Sequence, residues 1–153
     1  KSQDIHGSVL VEGNIISVEP DIIELDLSEN LTVDSVLYLD NFWDFTHLND
    51  KVQIIVPNNL NDDKYFSFEI IYHGRPTSTG FGSFNFSKHR GIDHIWTLSE
   101  PYGSRDWWPC KDDPSDKADS VDIIITLPSD QIAVSNGLLI DQIDLENDRK
   151  KFL

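Results

Sequence analysis

Tyr65 to Tyr72 reads YFSFEIIY. Apart from Ser67 and Glu69, every residue in it is aromatic or β-branched, the types that fit a pleated surface and lose rotamer freedom in a helix. His73–Gly74 follows as a stop signal. The stretch predicts a β-strand, and the same signature recurs on both sides of it. Val52 to Val56 (VQIIV) reads as a buried strand stopped by Pro57, and Ile22 to Leu27 (IIELDL) ends in apolar/polar alternation. Val33, Val36, Tyr38 and Leu39 mark another extended segment, as does Ile95 to Leu98. Val121 to Leu127 (VDIIITL) stops at Pro128, and Ile132 to Ile140 is a further candidate with Asn136–Gly137 as a turn or bulge inside it. Asn41 to Asp50 and Asn58 to Lys64 read as polar connections. No run of about 12 residues carries an apolar stripe at helical spacing. The expected fold is therefore all-β, a curved multi-sheet β-sandwich.

The chain has 153 residues, about one domain by length, and 39% of them are hydrophobic. A core is within reach at this size without disulfides or metals. No apolar run approaches the ~20 residues of a membrane span, so no membrane-spanning segment is expected. No basic n-region followed by an apolar h-region is visible at the start of the chain, so no signal peptide is expected within these residues. The absence of Met suggests that Lys1 is not a native start, and the charged stretch Asp148 to Phe152 has no stop signal, so the domain is expected to be truncated at its C-terminal end. There are 27 acidic against 12 basic residues, a net charge of −15. Such a surface repels phosphate backbones and anionic lipid, so no nucleic-acid partner is expected. Cys110 is the single cysteine, which excludes an intrachain disulfide and a cysteine zinc cluster. One thiol fits a reducing compartment without excluding an extracellular or periplasmic one.

Residues 97–120 break the strand pattern: TLSEPYGSRDWWPCKDDPSDKADS. Three prolines, adjacent tryptophans, the cysteine and dense charge predict a long ordered loop, and such loops usually carry function. Asp112, Asp113, Asp116 and Asp119 raise the question of a calcium loop, but the EF-hand spacing is missing and interleaved Arg105, Lys111 and Lys117 favour local ion pairs and loop caps. The histidines His6, His47, His73, His89 and His94 form no HExxH or other ligand spacing. No G-x-S-x-G elbow and no glycine-rich phosphate loop occurs. The residue that stands out is Glu100. Pro101 confines its backbone to extended regions, which fixes where the carboxylate points. A fixed carboxylate suits an ammonium or guanidinium ligand. A simple pair with Arg105, five residues on, competes with that reading.

At this segment the chain resembles the amino-terminal domain of the M1 zinc aminopeptidases, the gluzincins that include aminopeptidase N. The signature T-x-x-E-P-x-x-x-R-x-x-x-P-C-x-D-x-P-x-x-K stands here as Thr97, Glu100, Pro101, Arg105, Pro109, Cys110, Asp112, Pro114 and Lys117. Ile5 to Val9 (IHGSV), Leu25 to Val36 (LDLSENLTVDSV), Ile70 to Gly74 (IIYHG) and Val134 to Gly137 (VSNG) are similar to further strands of that domain. The wording around the two tryptophans looks most like secreted bacterial members, so the resemblance implies an extracellular or periplasmic location, with a cytoplasmic one as the alternative.

The resemblance implies that residues 1–153 are a saddle-shaped β domain leaning on a thermolysin-like catalytic domain of the same polypeptide, which is its expected partner. That catalytic domain would carry HExxH, G-x-M-E-N and the zinc. This chain has neither motif, so it is expected to hold no metal or other cofactor and to be inactive alone. Glu100 matches the family glutamate that binds the free α-amine of a peptide substrate. Arg105, Asp112 and Lys117 match positions expected to support its loop. Where the family often has Gln two residues before this Glu, the chain has Leu98.

The alternative is a β-sandwich binding module for carbohydrate or adhesion, with Trp43, Trp107 and Trp108 exposed to stack on sugars. A plain structural domain is a third reading. The first also predicts exposed apolar surface near residues 97–110, where a catalytic domain would dock.

Overall fold

A computed structural model describes residues 3–16, 21–57 and 64–153. The connection expected from Asn58 falls, up to residue 63, outside the described residues. The described residues are β-strands and loops, with a single 3-10 turn at Ser104–Asp106. They form several antiparallel sheets that do not close into a barrel, as a sandwich requires. The chain divides into two compact units, Lys1–Lys117 and Ala118–Leu153.

In the first unit, one sheet has the order β1-β7-β3-β4. β1 (Ile5–Asn14) pairs with β7 (Tyr65–Gly74) without interruption, Ile5 opposite Gly74 and Asn14 opposite Tyr65. The strand read from YFSFEIIY thus runs on through His73–Gly74. β3 (Leu31–Tyr38) pairs with the other edge of β7 and shifts register between Val33 and Ser35; β4 (Asn41–Trp43) closes that side. A second sheet has the order β2-β6-β5, from Ile22–Asp26, Lys51–Ile55 and Phe45–Leu48. The inward side chains of the two sheets meet in one core: Leu25, Val52 and Ile54 from the second, Leu31, Val33, Val36, Phe68, Ile70 and Tyr72 from the first, with Leu27 between. Each fully buried member contributes about 1.5–3 kcal/mol of transfer free energy. The period of two seen in the sequence is the physical cause, because alternate residues point to this core. β8 (Phe84–His89) and β9 (Ile92–Thr97) form a hairpin.

The stretch Asn41 to Asp50, expected as a loop, holds β4 and β5 instead. Its two flanking turns, Leu39–Asp40 and Asn49–Asp50, have positive φ at both central residues. That conformation matches the twist of tight hairpins, and non-glycine residues hid it from the sequence. Trp43 and Phe45 pack on the core, and the Trp43 indole donates to the Ile55 carbonyl at 2.7 Å.

The second unit is a sheet of order β10-β12-β11, from Ile125–Pro128, Arg149–Phe152 and Gln142–Leu145. Here two expectations are corrected. Val121 to Leu127 enters a ladder only from Ile125. Ile132 to Ile140 is not a strand; Ile132, Val134, Leu138, Leu139 and Ile140 are exposed. A strand needs a partner, and apolar composition alone supplies none. The charged segment 149–152 is central because neighbours flank it on both sides, and the aliphatic stems of its basic residues tolerate that place.

Candidate functional site

Residues 97–117 leave β9 and fold over the first unit as a loop held from several sides. Its entry is fixed where the Leu98 amide donates to the Ser83 carbonyl at 3.2 Å. The Trp107 indole donates to the Ser99 hydroxyl at 3.3 Å. The loop then closes on one buried carboxylate. Asp112, its side chain 6% exposed, accepts the Gly103 amide at 3.0 and 3.1 Å and the Ser104 amide at 3.1 Å, with the Arg105 guanidinium 3.8 Å away. Two amides, making three hydrogen bonds, and a guanidinium converging on one carboxylate are what a loop with no strand partners needs.

The loop is also sewn to the second sheet. Asp26 and Cys110 exchange backbone hydrogen bonds at 2.7 and 3.0 Å, and the Asp112 amide donates to the Asp26 carboxylate at 3.0 Å. Lys51 completes this knot, 2.6 Å from Asp26 and 3.1 Å from Glu24. Burial would raise the Asp26 pKa, but the Lys51 ammonium and the Asp112 amide outweigh it and hold the carboxyl below its usual range. The Arg105 carbonyl accepts the Ser28 amide at 2.9 Å. Asp106, 3% exposed, accepts the hydroxyls of Thr79 and Ser83.

Tyr72 ties the loop to the first sheet, its hydroxyl donating to the Trp107 carbonyl at 3.0 Å. Opposite it on β1 stands Gly7, where a Cβ would sit 2.5 Å from the Tyr72 ring. The absent side chain is the space that the ring occupies. Burial pushes both the Tyr72 phenol and the Cys110 thiol far up. Trp107 packs at 5.8 Å from both Phe84 and Trp108, and Trp108 rests on the core. Trp108 buries its indole nitrogen without an acceptor among the described residues, a cost of roughly 1–3 kcal/mol.

Against this braced background Glu100 is exposed. No hydrogen bond or ion pair joins its carboxylate to another described residue. The peptide bond to Pro101 is cis. The competing pair with Arg105 is not formed, because Arg105 turns to Asp112. Glu100 borders an open cleft of about 370 Å³, lined also by Ser99, Pro101, Ser104, Lys111, Asp112 and Lys117, with Asp113 and Pro114 at its wall. The structure thus brings Glu100, Asp112 and Lys117 to one cleft and points the Arg105 guanidinium at Asp112. Leu98 and Tyr102, on either side of Glu100, are 42% and 60% exposed.

The other acidic residues have local duties: Asp113 accepts the Ser115 amide and hydroxyl, and Asp116 pairs with Lys111 at 2.9 Å. Among the described residues no group of three or more His, Cys, Asp or Glu is arranged to hold a metal ion. Likewise no helix is long and apolar enough to cross a membrane. Trp43, Trp107 and Trp108 are all half-buried, which does not favour the sugar-stacking alternative. Sequence reasoning missed Asp26, Ser83, Thr79 and Asp106. Asp106 lies more than 20 residues from Thr79 and Ser83, and Asp26 more than 20 from Lys51 and Cys110, and no local pattern marks them.

The sequence profile described as the peptidase M1 N-terminal domain matches residues 2–153. Among solved structures, the M1 zinc metallopeptidase from Deinococcus radiodurans aligns with a TM-score of 0.80 at 26% identity, covering 98% of this chain and 34% of that one. A mutant of the Deinococcus radiodurans enzyme bound to a Tyr-Ser-Ala substrate aligns equally well, at 25% identity and the same coverage. A two-domain M1 zinc metallopeptidase mutant bound to L-tryptophan also has a TM-score of 0.80, at 26% identity over 99% of this chain. The chain therefore spans about a third of the length of the structures it matches, 34% in each case. No curated protein sequence matches it.

Proposed function

This chain belongs to the peptidase M1 N-terminal domain family, and from that membership we propose that it serves a zinc aminopeptidase by holding the free α-amine of a peptide substrate on Glu100. The observation that carries the reading is the contrast at the cleft. The loop's other carboxylates at Asp106, Asp112, Asp113 and Asp116 have donors within the fold, whereas Glu100 is exposed at the cleft and has none among the described residues. A carboxylate presented in this way binds an ammonium by charge-assisted hydrogen bonds. Fixing the amine fixes the distance from it to the bond that is cut, so residues leave singly from the amino end.

The catalytic chemistry and the zinc belong in this reading to another domain of the same polypeptide, since no residue group described here fits a metal. The exposed Leu98 and Tyr102 beside Glu100 suit a surface that such a domain covers. Asp112 and Arg105 brace the loop from behind, and Lys117 contributes a cation to the same cleft.

The test is Glu100→Gln in the complete enzyme, assayed on a free-amine peptide. Losing one partner of a desolvated charge pair costs about 2–4 kcal/mol, or roughly a 30- to 1,000-fold fall in kcat/KM, with KM raised and kcat lowered. Unchanged kinetics refute the role.

A further inference from the structure

We propose that Ser83 is the positioning residue for Glu100, a role that rests on the reading of Glu100 given above. Ser83 is 1% exposed and belongs to the turn before β8, remote in sequence from the loop it serves. It meets that loop on both sides of Glu100. Two residues before Glu100, the Leu98 amide is bound to the Ser83 carbonyl at 3.2 Å. Three residues after it, Gly103 approaches so closely that a Cβ there would lie 2.8 Å from the Ser83 Cβ. Gly103 also has φ +115, a conformation that side chains resist. Beyond Gly103, the Ser83 hydroxyl donates to buried Asp106, which ends the 3-10 turn.

The segment 98–103 is thus a short loop with both ends resting on one buried residue. Closing the ends removes most of the conformations that would let the Glu100 carboxylate wander. Ser83 is itself locked, since its amide donates to the Thr79 carbonyl at 3.2 Å and its hydroxyl accepts the Thr79 amide at 3.0 Å. Asp112 fixes only the far end of the segment, through the amides of Gly103 and Ser104. Ser83 alone among these residues touches both. Alanine keeps the carbonyl and the Cβ that meet the segment but loses the hydroxyl that locks Ser83 to Thr79 and Asp106, so the support itself is freed to shift, whereas a bulkier residue strikes Gly103.

The experiment compares the complete enzyme with Ser83→Ala, Gly103→Ala and Glu100→Gln variants. The readout is the ratio of the inhibition constant of a short peptide lacking the α-amine to that of the same peptide with the amine free. That ratio is independent of the fraction of active protein, so general destabilisation does not move it. Hydrogen exchange of the peptide spanning residues 98–104 is followed in parallel. Displacing an anchoring group by about 1 Å costs up to a hundredfold. The ratio is expected to fall about tenfold in Ser83→Ala and further in Gly103→Ala, with faster exchange over 98–104. A ratio that collapses in Glu100→Gln but stays at the wild-type value in Ser83→Ala overturns the positioning role and leaves Glu100 standing. A ratio unchanged in Glu100→Gln overturns both. If Gly103→Ala does not fold, Ser83→Ala decides the comparison by the same criterion.

Discussion

Replacing Asp112 by alanine tests whether one buried carboxylate holds the loop together. Its side chain is 6% exposed, so water does not readily substitute for it. The change leaves the amides of Gly103 and Ser104 without their acceptor and removes the charge facing Arg105. A hydrogen bond to a charged group is worth about 1.5–3 kcal/mol, and the contributions are not additive once the loop relaxes. A net loss of about 3 kcal/mol follows, equivalent to a fall in Tm of roughly 6–12 °C for a chain of this size. Asp112→Asn keeps the shape and one acceptor oxygen, so its loss is expected to be about half as large.

The assay is thermal unfolding followed by tryptophan fluorescence, since Trp107 and Trp108 lie in the loop concerned, together with a urea titration. The midpoint should fall while the slope stays constant, because the surface exposed on unfolding is little changed. A Tm drop under about 2 °C in Asp112→Ala would refute the reasoning. The loop would then be held by Tyr72, Asp106 and the Asp26–Cys110 bridge without need of this carboxylate.

Two further outcomes are expected. Asp26 has its folded pKa depressed despite burial, chiefly by Lys51 and the Asp112 amide. A depressed carboxyl contributes stability above its unfolded pKa and loses it as pH falls through the folded value, so the contribution should be intact at neutral pH, begin to fade near the ordinary carboxylate pKa of about 4 and be gone only below the depressed folded pKa. Urea midpoints measured across that range in Asp26→Asn should show a shallower acid slope than wild type; an identical slope contradicts the assignment. Cys110 is buried with its thiol pKa pushed up by that burial, so iodoacetamide at mildly alkaline pH should label it only after unfolding. Labelling of the native protein at the rate of the denatured chain would count against its burial.

Much of the first unit was legible because its strands are buried on one face and alternate accordingly. YFSFEIIY and VQIIV became β7 and β6, whose inward residues Phe68, Ile70, Val52 and Ile54 are fully buried. The signal failed where burial and composition part company. β12 is charged but lies between two strands, while Ile132 to Ile140 is apolar but has no ladder. Turns failed for a related reason: Leu39–Asp40 adopts the left-handed conformation without a glycine to announce it. At the site, spacing singled out Glu100 and its surroundings, yet it left a Glu100–Arg105 pair open that the geometry does not make.

The sequence by itself determined the β class and the motif that runs from Thr97 to Lys117, because both are written in local order: alternation along a strand, and residue types at fixed spacing. Only the tertiary structure decided that Arg105 faces Asp112 and that Glu100 stands unpaired among the described residues. It also placed Ser83 under both ends of the segment that carries Glu100. Those facts depend on how the loop folds back on itself and onto the turn before β8. Such folding back is set by how sheets pack and where hydrogen bonds close, and no local pattern of side chains encodes it.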